Sequence, residues 1–211
     1  MSLKYAIFKP RESARNFLLA VVMTTVKMLF FSILLIGLCL SGVVGGVAKA
    51  WIDTCPDLDI DSLGAQSLTS FIYDKNGNLV TEFKGSENRI YVDYEDIPQQ
   101  LINAVISIED ARFYEHHGVD IKRVGGALIN NLAGGNLQGA STITCQLVKL
   151  TLLNADQNYK RKAQEAYLAL QVEERLSKAE ILEAYLNVIY LGGANYGIKI
   201  AAQDYFGKEL N

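Results

Sequence analysis

The chain has 211 residues, half of them apolar, with 20 basic against 23 acidic side chains and a net charge of −3. That length holds one medium domain plus a membrane segment, and the charge balance argues against a nucleic-acid partner. Three cysteines, Cys39, Cys55 and Cys145, show no metal-ligand spacing, and a Cys55–Cys145 bridge stays open without being favoured.

Residues 1–27 read as a basic cytoplasmic tail entering an amphipathic or membrane-dipping helix, with Lys27 able to reach lipid headgroups. Residues 28–48 follow as a charge-free apolar run of roughly twenty residues, long enough to span a bilayer. The run is longer than the core of a signal peptide and lies deep in the chain, which predicts an uncleaved transmembrane helix. Lys4, Lys9, Arg11, Arg15 and Lys27 precede it, and Asp53, Asp57, Asp59 and Asp61 follow. The positive-inside rule then places the N-terminus in the cytoplasm, and everything beyond Trp51 outside the cell membrane, in a single pass.

Residues 49–70 are acidic and polar, as suits a stalk. Residues 71–96 predict a β-hairpin and linker, because β-prone residues flank Asn76-Gly77. From 97 to 211 the chain is helix-rich, with Pro98 placed to open a helix. Val119 to Gly139 reads either as a segment lying on lipid, with Lys122 and Arg123 at the headgroups, or as a loop between helices. Ser177 and Glu180 form a capping box, and their helix is expected to stop at Gly192-Gly193.

Two glutamates stand on apolar helix faces. At about 100° per residue, Ile102, Val105, Ile106, Glu109 and Phe113 share one stripe, where burial disfavours the charged carboxylate. Glu165 shares a stripe with Leu168, Ala169, Val172 and Leu176, one turn from Arg161 and Lys162, so a structural ion pair competes there with a role in chemistry. As a pair they suit acid/base work in a cleft.

The residues around these glutamates carry a family resemblance. Glu109-Asp110-x-x-Phe113-x-x-His116-x-Gly118 resembles the first motif of the peptidoglycan glycosyltransferases, glycosyltransferase family 51. Gly139-Ala140-Ser141-Thr142-Ile143-Thr144-Cys145-Gln146-Leu147-Val148-Lys149 resembles the second, and Arg161-Lys162-x-x-Glu165 the third. Ile181-Leu182-Glu183-x-Tyr185-Leu186-Asn187 is similar to the fourth, and Tyr205-Phe206-Gly207-Lys208 to the closing segment. The hairpin text from Phe71 to Val80 resembles the segment preceding this domain in class A penicillin-binding proteins. The family usually has Gln where this chain has Cys145, and often Arg where it has Gln157. Nothing of a transpeptidase is present, so the chain reads as the N-terminal part of a bifunctional protein.

The resemblance implies a mainly α, lysozyme-like helical domain behind a transmembrane helix and a short hairpin. It also implies a reaction, the polymerisation of lipid II into glycan strands for the cell wall, by inverting transfer with release of lipid pyrophosphate. Glu109 would take the proton of the acceptor hydroxyl. Ser141, Gln146, Lys149, Lys160, Arg161 and Lys162 would bind substrate, the cations neutralising the diphosphate. Ser141 or Thr142 would cap a helix whose free amides face an anion. Glu165 would orient those cations, assist the donor, or bind Mg2+ or Mn2+ held mainly by substrate oxygens; no organic cofactor is expected. Asp110, Phe113, His116, Gly118, Glu183, Tyr185 and Asn187 are expected to be scaffold. Partners would be lipid II, the growing lipid-linked strand, membrane lipid, and division or elongation proteins. Two rivals remain: a membrane-anchored muramidase or lytic transglycosylase, which has no pyrophosphate to hold, and a non-catalytic anchor that binds precursor.

Overall fold

The computed structural model describes residues 10–64, 69–83, 88–135, 139–153 and 158–210. Within it the chain divides into two compact units, residues 1–50 and 51–211.

The first unit is dominated by α1 (Pro10–Ile52), one unbroken helix of 43 residues. The helix runs through residue 27 without a break, because a single Lys27 among Met, Thr, Val and Leu does not interrupt the hydrogen-bond ladder. Its apolar side chains are exposed all round, Phe30 and Phe31 included. A helix apolar on every side needs an apolar surround, and among the described residues it alone is long and apolar enough to cross a membrane.

In the second unit, a five-residue turn of helix, α2 (Ile60–Gly64), precedes an antiparallel hairpin of β1 (Ser70–Tyr73) and β2 (Leu79–Phe83). Asp74 organises the turn, its carboxylate accepting from the amides of Asn76 and Asn78. Gly77 supplies the positive φ that the turn requires. Six helices follow: α3 (Gln99–Glu109), α4 (Ile121–Leu132), α5 (Ile143–Thr151), α6 (Tyr159–Arg175), α7 (Lys178–Val188) and α8 (Ile198–Phe206).

The core forms where α5 packs on α6 and α7. Ile143, Leu147, Val148, Leu168, Val172, Ile181, Leu182 and Leu186 are all buried there, each contributing about 1.5–3 kcal/mol of hydrophobic stabilisation. The predicted capping box is present at Ser177 and Glu180. The helix it starts ends at Val188, however, short of Gly192-Gly193. Ile189 turns extended and Tyr190 bridges to Tyr196, so both glycines serve the intervening turn instead.

Most of Val119 to Gly139 is helix and not loop, since α4 occupies Ile121–Leu132 and Asp120 caps it by accepting from the Arg123 amide. Ile121, Val124, Ile129 and Leu132 of α4 are exposed, Ile121 at 80% and Leu132 at 79%. Arg123, expected at the headgroups, instead points inward, donating to backbone carbonyls of the domain. The three cysteines are free.

Candidate active site

Glu109 is the last residue of α3, and the helix stops there because Asp110 leaves the helical conformation. Phe113 therefore lies beyond the helix, in a short 3-10 turn (Phe113–Glu115), and reaches the core by that detour rather than along the stripe of Ile102 and Ile106. The same ending corrects the placement of Glu109. Its carboxylate is half-buried instead of sunk in an apolar face, and its Oε2 accepts a 2.8 Å hydrogen bond from Gln146 Nε2 on α5. Gln146 Oε1 in turn accepts from the Tyr185 hydroxyl of α7, at 3.2 Å.

Asp110, next in the chain, is buried and joins α3 to α5. Its Oδ2 accepts from the Ile143 amide and lies 3.0 Å from His116 Nε2. His116 is held in its turn by Lys178, which donates to its carbonyl at 2.8 Å, sits over the Phe113 ring and pairs with Glu173. Gly118 completes the turn with φ near +85°, and a Cβ there would stand 2.5 Å from the Ala169 carbonyl oxygen of α6. Only glycine lets the backbones approach this closely.

The start of α5 differs from the open anion cradle that the sequence suggests. Thr142 is the cap, accepting from the Cys145 amide, and the Ile143 amide goes to Asp110, so two of the three first-turn amides are already occupied. Ser141, just outside the helix, accepts instead from Lys162 Nζ at 2.9 Å. Cys145 is buried, with its sulfur 3.6 Å from the Gly118 carbonyl oxygen; burial pushes its thiol up, against the smaller pull of Thr142 and Lys162.

On α6, Glu165 is only 1% exposed. Lys162 Nζ donates to its Oε2 at 2.6 Å, and Arg161 Nε lies 3.1 Å from Oε1, a charge pair without hydrogen-bond alignment. Both readings of Glu165 meet here, since the ion pair exists and stands beside Ser141. Ser141, which meets Lys162, and Gln146, which meets Glu109, are five residues apart, so the two groups of side chains approach α5 on the order of 10 Å from one another.

Other predicted residues lie elsewhere. Lys149 is exposed on α5, one turn beyond Gln146. Lys160 lines a cavity of about 560 Å³ with Thr54, Cys55, Pro56, Gln164 and Arg161, so Arg161 borders both that cavity and Glu165. Glu183 and Asn187 do not join helices to one another. Glu183 accepts from the Tyr91 hydroxyl and the Tyr94 amide, and Asn187 exchanges two hydrogen bonds with the Val92 backbone, so together they clamp the segment before α3. Gln157 lies outside the described residues.

Two residues make contacts near Glu109 that the sequence did not signal. Arg123 Nη1 donates to the Glu109 carbonyl at 2.7 Å and its Nε to the Gly139 carbonyl at 3.1 Å, tying α3, α4 and the second motif together. The hint available was Asp120, a capping residue three positions earlier. Tyr185 lies 39 residues from Gln146, and no local pattern reports a contact at that range.

Arg112 pairs side-on with Asp120 through Nε and Nη2 at 2.7–2.9 Å. Burial pushes the Asp120 carboxyl up, but the Arg123 amide and the Arg112 guanidinium outweigh it and hold it below its ordinary value. The ionised form is therefore favoured by folding. That contribution is full above the ordinary carboxyl range and is lost as pH falls through the lowered value. Arg112→Ala should lower the thermal midpoint at pH 7, and the gap to the parent should narrow as the pH is taken down to about 3. A gap independent of pH in differential scanning fluorimetry would contradict this.

Residues 76–211 match the family described as "Transglycosylase". The chain is 46% identical over 189 residues to penicillin-binding protein 1A of Clostridium tetani, an alignment covering 87% of this chain and 24% of that protein. It is 43% identical over 190 residues to the protein of the same name from Clostridium perfringens, covering 88% and 28%. With that of Streptococcus pneumoniae it is 42% identical over 187 residues, covering 86% and 26%. The chain thus spans about a quarter of the length of the curated relatives it matches. A match over more than half of the chain, enclosing both glutamates and every residue that ties them to α5, establishes that the chain belongs to the transglycosylase family.

Proposed function

We propose that this domain is a peptidoglycan glycosyltransferase that polymerises lipid II by inverting transfer, releasing the lipid pyrophosphate of the growing strand. Membership of the transglycosylase family and similarity to penicillin-binding proteins 1A support glycosyl transfer in wall synthesis. The observation that carries the finer reading is the contrast between the two glutamates. Glu109 is half open and meets a neutral amide donor, whereas Glu165 is buried and holds two cations beside Ser141.

The roles follow from that contrast. The Glu109 carboxylate, oriented by the Gln146 amide and half open, can take the proton of the acceptor's 4-hydroxyl as the new bond forms. Pyrophosphate is already a competent leaving group and needs neutralisation more than an acid. Arg161 and Lys162, aimed by Glu165, supply that charge, with Ser141 as a further donor. Attack from the face opposite the diphosphate converts an α-linked donor into a β-1,4 bond.

A divalent cation fits this protein set poorly. Both Glu165 oxygens already face cations, and among the described residues no three His, Cys, Asp or Glu gather to hold a metal. No step is assigned to one. The exposed apolar residues of α4 suit contact with the lipid surface where a lipid-linked substrate resides. The basic residues before the apolar helix support a cytoplasmic N-terminus, with the domain outside. A wall polymerase works where the wall grows, which supports partners among division or elongation proteins.

Purified protein given lipid II should yield polymer, and given preformed glycan strands should leave them intact. Fragments from the strands would favour the muramidase reading. Lys162→Ala should weaken donor binding about tenfold while changing acceptor binding little, measured by titration with non-reactive analogues of each. Equal losses at both subsites would remove the diphosphate role from Lys162.

A further inference from the structure

Tyr185 is wholly buried, yet its hydroxyl lies against Gln146, the residue that meets Glu109. Burial in the core keeps water from competing for that hydroxyl, and burial first, then the nearby charge of Glu109, push the phenol well above its ordinary range. The phenol therefore stays protonated and has one proton to donate.

A primary amide has one accepting and one donating end, and rotation by 180° about its last bond exchanges them. An ionised carboxylate can only accept. The amide must then turn its NH2 toward Glu109 and its oxygen away, and the oxygen needs a donor on the far side. Tyr185 supplies it. The chain from α7 through α5 to α3 is consistent in direction at both contacts, phenol to amide oxygen and amide nitrogen to carboxylate.

We propose that Tyr185 is a positioning residue for glycosyl transfer, fixing the Gln146 amide so that its NH2 holds the Glu109 carboxylate aimed. This rests on Glu109 being the base. Around Glu109 the other polar groups act elsewhere: Arg123 takes its carbonyl, Asp110 turns to Ile143 and His116, and Lys149 is exposed a turn beyond Gln146. Gln146 is thus the described hydrogen-bond partner of the reacting carboxylate, and its orientation is set from behind.

The test is a double-mutant cycle on the full chain in detergent, with lipid II as substrate and kcat, KM and thermal midpoint measured for each variant. Tyr185→Phe keeps the buried ring and removes the donor. It should lower kcat about threefold to tenfold with KM little changed. Gln146→Leu should lower kcat at least as much, and adding Tyr185→Phe to it should change kcat no further. A packing role for Tyr185 would give full, multiplicative losses in both backgrounds and would overturn the proposal. A parental kcat in Tyr185→Phe would do the same. Gln146→Leu at the parental kcat would sink it even if the Phe variant could not be purified. Glu109→Gln, run alongside, separates the two levels: if it polymerises normally the base assignment has failed, and if it is dead while the cycle is additive only the positioning role has.

Discussion

Glu109→Gln should reduce polymerisation of lipid II by about 10²–10⁴-fold while substrate analogues still bind. The substitution is nearly isosteric, replacing a group that can carry charge and take a proton by a neutral amide that cannot act as a base. Gln146 Nε2, which donates to the carboxylate at 2.8 Å, would still find an amide oxygen on the substituted side chain. The fold is therefore expected to persist, with a thermal midpoint near the parent's, so that lost turnover reports chemistry and not unfolding. An enzyme with Glu165 as the sole base, or a protein that only binds precursor, would leave the wall-forming function of the variant near parental. Single-turnover kinetics with labelled lipid II distinguish these outcomes.

The second large effect concerns stability. Gly118→Ala should lower unfolding free energy by about 2–5 kcal/mol, the sum of a positive φ forced on a residue with a Cβ and an overlap with backbone. The overlap is the graver part. The new methyl would meet Ala169 O at 2.5 Å and Leu170 N at 2.9 Å, and neither can swing away as a side chain tip can. A thermal midpoint lower by roughly 5–15 °C is expected for a unit of this size. Gly77→Ala makes a useful contrast, because its φ is also near +85° but nothing stands within 4 Å of the added Cβ. Its loss should be smaller, about 1 kcal/mol or less. Equal losses at the two positions would mean that steric contact with α6 contributes nothing.

Local chemistry was legible in the sequence and distant contact was not. Glu165 with Arg161 and Lys162, Ser177 with Glu180, and the Asn76-Gly77 turn each involve residues within four positions, where helix or turn geometry fixes who meets whom. Helix ends were less legible. Glu109 looked central to a stripe because periodicity continued to Phe113, but the Asp110 side chain leaves the helix to hold Ile143, 33 residues away. The end of α7 moved for a similar reason, a bridge between Tyr190 and Tyr196 winning over further helical turns. Arg123 shows the limit of composition as a guide. A cation in an apolar amphipathic stretch suggests a headgroup contact, yet two backbone carbonyls offered it a better partner set. The buried face of α6, by contrast, follows from apolar spacing, Leu168, Ala169 and Val172 being buried along the stripe they share with Glu165.

The bond from Asp110 to Ile143 also decides which parts of the domain can yield. Sliding the end of α3 against the start of α5 would break a charge-assisted bond in dry surroundings, worth about 1.5–3 kcal/mol, together with its tie to His116. The scaffold bearing Glu109 and Gln146 therefore behaves as one stiff plate. Among the described residues α4 is held differently, with Ile121, Val124, Ile129 and Leu132 exposed and Asp120 at its start fixed by Arg112 and the Arg123 amide, so movement in this domain falls more readily to α4 than to that plate.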